Sequence, residues 1–230
     1  MPGVAELYGL LAEYLDGLGL MLSPAQLASG GYQLLASIAW IEAGPDLQPA
    51  ALAGVHPPEE RRVVMLHRQK EPYAGLWTAP GGKLELGETP VAAFIREMGE
   101  ETGLIMRNFQ LRLITSECGS PGYDWITFVY RCDRWEGVLD TGWHPEGRME
   151  WVRLADLPRR AIPDVDRQLL FYIFPELASY FEEAGLCPDP QARREREAVP
   201  PAVDQIYLAQ VQYAAGGRTV GVRIRPVARR

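Results

Sequence analysis

The chain has 230 residues, 47% of them hydrophobic, enough for a buried core, and a formal net charge of −7. That acidity argues against a polyanion-binding surface such as a footprint for a nucleic acid polymer, but not against a small nucleotide whose charge a bound cation offsets. No apolar run approaches the roughly 18 residues of a helical membrane span, Cys118, Cys132 and Cys187 show no C-x-x-C spacing, and the opening residues lack a basic signal-peptide start, so reduced thiols in a cytoplasmic protein are expected.

Residues 4–28 read as two short amphipathic helices, with Leu7, Leu10, Leu11 and Leu15 at helical spacing and Ser23–Pro24 opening the second. Their leucine stripe suits either the face of the sheet or a second subunit, and the latter would make a homodimer. Tyr32–Ile41 reads as the first core strand. Residues 42–60 form a Pro/Ala/Gly-rich exposed connection, Arg62–Gln69 a second strand and residues 71–77 a loop. Pro80, Gly81 and Gly82 read as a breaker. Thr89 is placed to cap a helix whose first residue is Pro90 and whose C′ position is Gly103.

Phe109–Glu117, Trp125–Cys132 and Met149–Val152 follow as strands, with Trp77, Trp125 and Trp151 read as core residues first. A helical turn begins at Leu154, and Asp164–Phe181 is a helix pattern interrupted at Pro175. Residues 187–202 read as a polar, Pro-flanked linker. Gln205–Tyr213 and Arg218–Ile224 alternate around Ala215–Gly217 as a hairpin. The expected organisation is an N-terminal helical extension over 1–30, a core over 31–186, and a linker and hairpin over 187–230 that packs on the core. Strands alternating with two principal helices put the chain in the α/β (α+β) class, as a sandwich with a mixed sheet.

Within the 90–102 helix, Glu97, Glu100 and Glu101 stand at i, i+3 and i+4, which puts three carboxylates on one face. Ala93, Phe94 and Met98 can face a core on the other. Crowded carboxylates repel one another unless a cation sits among them, and hard oxygen-seeking cations, Mg²⁺ above all, suit such a group. The competing reading is a solvated acidic face. Arg96 is placed to pair with Glu88 and hold the helix against its preceding loop.

The stretch from Gly82 to Leu104, GKLELGETPVAAFIREMGEETGL, fits the pattern G-x5-E-x7-R-E-U-x-E-E-x-G-U, with U apolar. The matching residues are Gly82, Glu88, Arg96, Glu97, Met98, Glu100, Glu101, Gly103 and Leu104. By this motif the chain resembles the Nudix hydrolases, metal-dependent enzymes that cleave a nucleoside diphosphate linked to another group. The resemblance covers residues 32–174 and implies an α/β/α sandwich with Mg²⁺ or Mn²⁺ as cofactor. The flanks LHRQKEPYAGLWTAPGGKLELGE, PEGRMEWVRLADLP and IPDVDR are similar to MutT-type nucleoside triphosphate pyrophosphohydrolases, including 8-oxo-dGTP diphosphatases.

The resemblance implies a metal-binding carbonyl at Gly81 and metal-binding carboxylates at Glu97, Glu100 and Glu101. It implies a further acid or general base at Glu146, leaving the base open among Glu100, Glu101 and Glu146. Arg68 and Lys83 would meet the substrate's phosphates. Asp166 would be a base reader or, more simply, a helix N-cap. Thr78 stands where some purine readers have asparagine. Gly82, Glu88, Arg96 and Gly103 are structural within the motif. A second reading, an ADP-ribose or nucleoside-diphosphate-sugar pyrophosphatase, rests on Pro121, 17 residues past Leu104. A third is a non-catalytic nucleotide sensor.

Overall fold

A computed structural model describes residues 33–50, 56–119, 124–142, 144–186, 190–214 and 219–227. The expected N-terminal helices, Tyr32, Pro121, Cys187 and the Ala215–Gly217 turn lie outside the described residues. Among those described, no helix is long and apolar enough to cross a membrane.

The first strand, β1 (Gln33–Ala43), pairs in parallel with β6 (Asp124–Glu136) from Gln33↔Asp124 to Ile41↔Cys132. β6 returns antiparallel to β5 (Ile105–Cys118), with β-bulges near Asn108 and Leu111. On the other side β1 meets β2 (Arg62–Arg68) over Glu42↔Val63, and β2 pairs with β3 (Trp77–Thr78) and β7 (Gly147–Arg153). The hairpin strands β8 (Tyr207–Tyr213) and β9 (Thr219–Pro226) extend the same sheet, because β8 runs parallel to β5 from Leu113↔Tyr207 to Cys118↔Gln212. Parallel and antiparallel pairs therefore share a mixed sheet.

Side-chain alternation sorts the core to the two faces of that sheet. Trp40, Val63, Met65 and Leu113 meet α2 (Asp164–Ile173) and α3 (Ala178–Glu183) on one face. Ile41, Val64, Leu66 and Ile114 share the other core with Phe94 and Met98 of α1 (Pro90–Thr102). Phe94 stacks on Tyr130 with ring centroids 4.6 Å apart. Helices cover both faces, giving the expected sandwich.

The interruption expected at Pro175 is present: α2 ends at Ile173, and a 3₁₀ turn, Pro175–Leu177, separates it from α3 because proline cannot continue the hydrogen-bond ladder. Three expectations need correction. The Gly81–Gly82 breaker belongs to a strand, β4 (Gly81–Lys83), paired antiparallel with Ala36–Ile38 of β1. Of the tryptophans read as core, Trp77 and Trp151 are half-buried and pack against the two cores, Trp125 is half-buried, and the buried tryptophans are Trp40 and Trp135. The polar linker contains a helix, α4 (Pro190–Ala198). Its stability is tertiary rather than periodic: Arg196 lays its guanidinium 3.9 Å from the Phe171 ring centroid, and Arg193 reaches Glu182 of α3.

Candidate active site

Helix α1 starts and stops as its residues dictate. Thr89 Oγ1 accepts the Ala92 N–H at 3.2 Å, a cap worth about 1 kcal/mol, and Pro90 follows at the first helical position. Gly103 closes the helix with φ +70° and donates its N–H to the Gly99 carbonyl. The acidic side faces the β4 strand. Gly81 lies there at φ +152°, and a Cβ on it would stand 2.3 Å from the Ser37 carbonyl oxygen, so only glycine fits between β1 and α1. A Cβ on Gly82 would sit 2.3 Å from the Glu97 carboxylate; its absence leaves a cradle of backbone around that group.

Arg96 organises the outer part of the site. Its Nε and Nη2 donate to both oxygens of Glu88 at 2.8 and 2.9 Å, and Nη2 also donates to the Lys83 carbonyl. Its Nη1 reaches Glu97 at 2.8 Å and Glu100 at 3.3 Å. The hydrogen bonds from Arg96, and one from the Glu85 N–H, hold the Glu88 carboxyl down at about 2. Glu88 and Arg96 thus tie the loop to the helix, and the Glu100 carboxylate remains exposed.

The inner part lacks such compensation. Glu101 is buried and accepts the Gly81 N–H at 2.9 Å. Burial pushes its carboxyl up to about 8 against that bond, and the charges of Glu97 and Glu146 push the same way. Glu97 is also raised, by burial first and by Glu100 and Glu146, with Arg96 opposing. Glu146 accepts from Arg68 Nη1 at 2.9 Å. The fold therefore gathers Gly81, Glu97, Glu101, Glu146 and Arg68, with Glu100 at the rim.

Other expected residues sit differently. Thr78 is buried in β3 and its hydroxyl has no hydrogen-bond partner. Lys83 is exposed, its Nζ 5.9 Å from the Trp125 ring centroid. Asp166 is no N-cap: Pro163 holds that position, and Asp166 lies in the first turn of α2. Its carboxyl is raised to about 7 by burial and then by Glu117. Sequence reasoning missed Glu117, Tyr73 and Tyr213, which form a hydroxyl–carboxylate chain beside Asp166. They come from three separate segments with no shared spacing, so no local signal marks them.

Among the described residues, no three His, Cys, Asp or Glu side chains converge as a ready-made metal cage. The donor set nevertheless fits a hard cation. Every candidate donor is oxygen, two of the carboxyls carry raised affinities for a proton, and the Gly82 cradle keeps side-chain bulk away. Mg²⁺ usually takes one or two carboxylates and completes its shell with water and phosphate, so a closed cage is not required.

Comparison with known proteins bears on this geometry. The family model described as the NUDIX domain matches residues 46–172. The chain is 34% identical over 92 residues to the 8-oxo-dGTP diphosphatase of Escherichia coli, a match covering 40% of this chain and 68% of that one. It is 31% identical over 116 residues to the ADP-ribose pyrophosphatase of Methanocaldococcus jannaschii, covering 50% of this chain and 68% of the relative. A crystal structure of a MutT protein from Bacillus halodurans superposes with a TM-score of 0.54 at 19% identity, covering 83% of this chain and 97% of that one, a likeness of fold.

Proposed function

The chain belongs to the Nudix hydrolase family, enzymes that act on phosphorus anhydrides, and from that premise we propose that it cleaves a nucleoside triphosphate to the monophosphate and pyrophosphate. The observation that carries this reading is the excess of acid at one place. Glu97, Glu101 and Glu146 lie within electrostatic reach of one another near the backbone of Gly81–Gly82, with the arginine Arg68 at their edge.

Mg²⁺ or Mn²⁺ bound by Glu97, Glu100, Glu101 and the Gly81 carbonyl would neutralise phosphate oxygens and acidify the attacking water. Arg68 holds the charge of the terminal phosphates by a charge-assisted bond and exchanges Glu146 for substrate as it does so. Glu101, seated against the Gly81 N–H, would serve as general base in its ionised form: it takes the proton from water as the water oxygen attacks phosphorus. The bridging P–O bond breaks and pyrophosphate leaves. Glu146 is the alternative base.

The MutT-like flanks and the similarity to an 8-oxo-dGTP diphosphatase favour a purine, an oxidised one included. The similarity to an ADP-ribose pyrophosphatase supports the second reading. The test compares kcat/KM for dGTP, 8-oxo-dGTP, ATP and ADP-ribose in wild type and Arg68→Ala. Triphosphates should be preferred, and Arg68→Ala should cost them about 1.5–3 kcal/mol of kcat/KM. A clear wild-type preference for ADP-ribose would replace the substrate and leave the family standing.

A further inference from the structure

The loop after β2 is built around Arg68. Its ends are laced together: Arg68 N–H donates to the Leu76 carbonyl at 3.0 Å, and Gly75 N–H donates to the Arg68 carbonyl at 2.9 Å. The guanidinium joins this lacing, its Nε donating to the Pro72 carbonyl at 2.7 Å while Nη1 reaches Glu146. The direction in which Arg68 points is therefore set by where the loop holds Pro72.

The residue after Pro72 is Tyr73, and its φ is +70°. That left-handed conformation is unfavourable for a bulky side chain and persists only where surroundings enforce it. Two contacts hold the residue: the Leu76 N–H donates to its carbonyl at 2.9 Å, and a second contact is at the far end of the side chain. The Tyr73 hydroxyl lies 3.3 Å from the Tyr213 hydroxyl, at the end of β8. Tyr213 is buried, and its hydroxyl donates to Glu117 at 2.7 Å. The hydroxyls of Thr115 and Thr127 donate to the other oxygen of Glu117.

The protonation state of Glu117 sets the direction of this chain. A phenol has one proton; with Glu117 as the carboxylate, that of Tyr213 goes to Glu117 and Tyr73 donates to Tyr213. The anchor is rigid. β8 is paired along β5, and the end of β5 lies so close to the Tyr213 backbone that a Cβ on Gly119, itself at φ +79°, would stand 2.8 Å from the Tyr213 carbonyl oxygen.

We propose that Tyr213 is a positioning residue for the reaction: the directed hydroxyl relay from Tyr73 through Tyr213 to Glu117 lets the C-terminal hairpin hold the 69–76 loop, and with it the Arg68 guanidinium, in line with the substrate's phosphates. The hairpin lies outside the 46–172 stretch matched by the family model, so this contribution belongs to the chain's own tail. It rests on the reading of Arg68 as a phosphate contact.

The experiment uses the full chain with Tyr73→Phe, Tyr213→Phe, the double variant, and each also in an Arg68→Ala background. Two readouts are taken: amide hydrogen exchange at Arg68 and Gly75, and the separate kcat and KM of the best triphosphate from the panel. Each single variant should speed exchange at both amides and raise KM about fivefold, the scale of one lost hydrogen bond, with kcat nearly unchanged. The double variant should be no worse than either single, and neither should change KM once Arg68 is alanine. A lowered thermal midpoint with unchanged exchange and unchanged KM would overturn the proposal, leaving the tyrosines as packing. Faster exchange with unchanged KM would overturn it as well. A wild type that hydrolyses no nucleotide would instead sink the assigned substrate; exchange at Arg68 and Gly75 would still decide, on its own, whether the hairpin holds the loop.

Discussion

Two arginine–glutamate groups in this molecule use the same chemistry to opposite ends. On one face of the sheet, Glu42 accepts from both Arg61 and Arg131, and Glu176 accepts from Arg61 at 2.9 Å and from Arg131 at 2.7 Å, with Phe174 beneath both guanidiniums. Two acids meet two bases, and Glu42 and Arg61 are wholly buried. At the Gly81–Lys83 strand, five carboxyls (Glu88, Glu97, Glu100, Glu101 and Glu146) face two guanidiniums, Arg68 and Arg96. A balanced group can be sealed away from water; an unbalanced one leaves carboxyls such as Glu101 without a counter-charge, which a cation can supply. Stoichiometry, rather than the residue types, separates the structural network from the proposed active site.

The widest separation should come from chelation. EDTA should abolish pyrophosphate release, and Mg²⁺ or Mn²⁺ should restore it, while far-ultraviolet circular dichroism stays unchanged because the balanced group needs no ion. Activity in metal-stripped protein would erase the contrast. Next comes the balanced group itself. Glu42→Gln leaves Arg61 buried with its main counter-charge gone and should cost about 3–5 kcal/mol in urea unfolding, with kcat per folded molecule unchanged. A loss under about 1 kcal/mol would mean water reaches Arg61.

The unbalanced group should behave inversely. Glu101→Gln should lower kcat at least about a hundredfold, some 2.7 kcal/mol, and leave the urea midpoint at or above that of wild type. Glu100→Gln should match it in kcat only if the exposed carboxylate turns inward with the cation; near-wild-type turnover there would confine the chemistry to Glu101 and its neighbours.

The smallest effect is a slope with pH. Asp166 has a carboxyl raised by burial and by Glu117, so it favours the folded state most when protonated. Its contribution is complete below the ordinary aspartate range near 4 and is lost as pH rises through about 7. Thermal midpoints measured from pH 4 to 8 should decline more steeply in wild type than in Asp166→Asn. Parallel curves would place Asp166 in contact with water.

The unbalanced group was legible in the sequence because most of it lies on one helix and the loop before it. Three glutamates at helical spacing, a capping threonine and a C′ glycine state their own geometry. The balanced group was illegible for the opposite reason: Glu42, Arg61, Arg131 and Glu176 come from β1, the approach to β2, β6 and a 3₁₀ turn, and only tertiary pairing brings them together. Glu117 and Tyr213 were invisible on the same grounds, 96 residues apart. Local spacing also could not say that Glu100 would face outward while Glu101 turned in, since neighbouring helical residues differ by about 100° and the burial axis is set by the sheet. The helix inside the polar linker was missed because its support is the ring of Phe171 and the carboxylate of Glu182.

The parallel pairing of β5 with β8 also bears on how the chain is made. β5 ends at Cys118, and its partner does not begin until Tyr207. A nascent chain emerging from the ribosome can form β1, β2, β5 and β6 while the Leu113–Cys118 edge waits, its N–H and C=O groups open, for nearly ninety more residues to be synthesised. During that interval the edge is a template for strands of other chains. Arrested or truncated products that stop before Tyr207 should therefore aggregate, even though they carry the whole acidic helix.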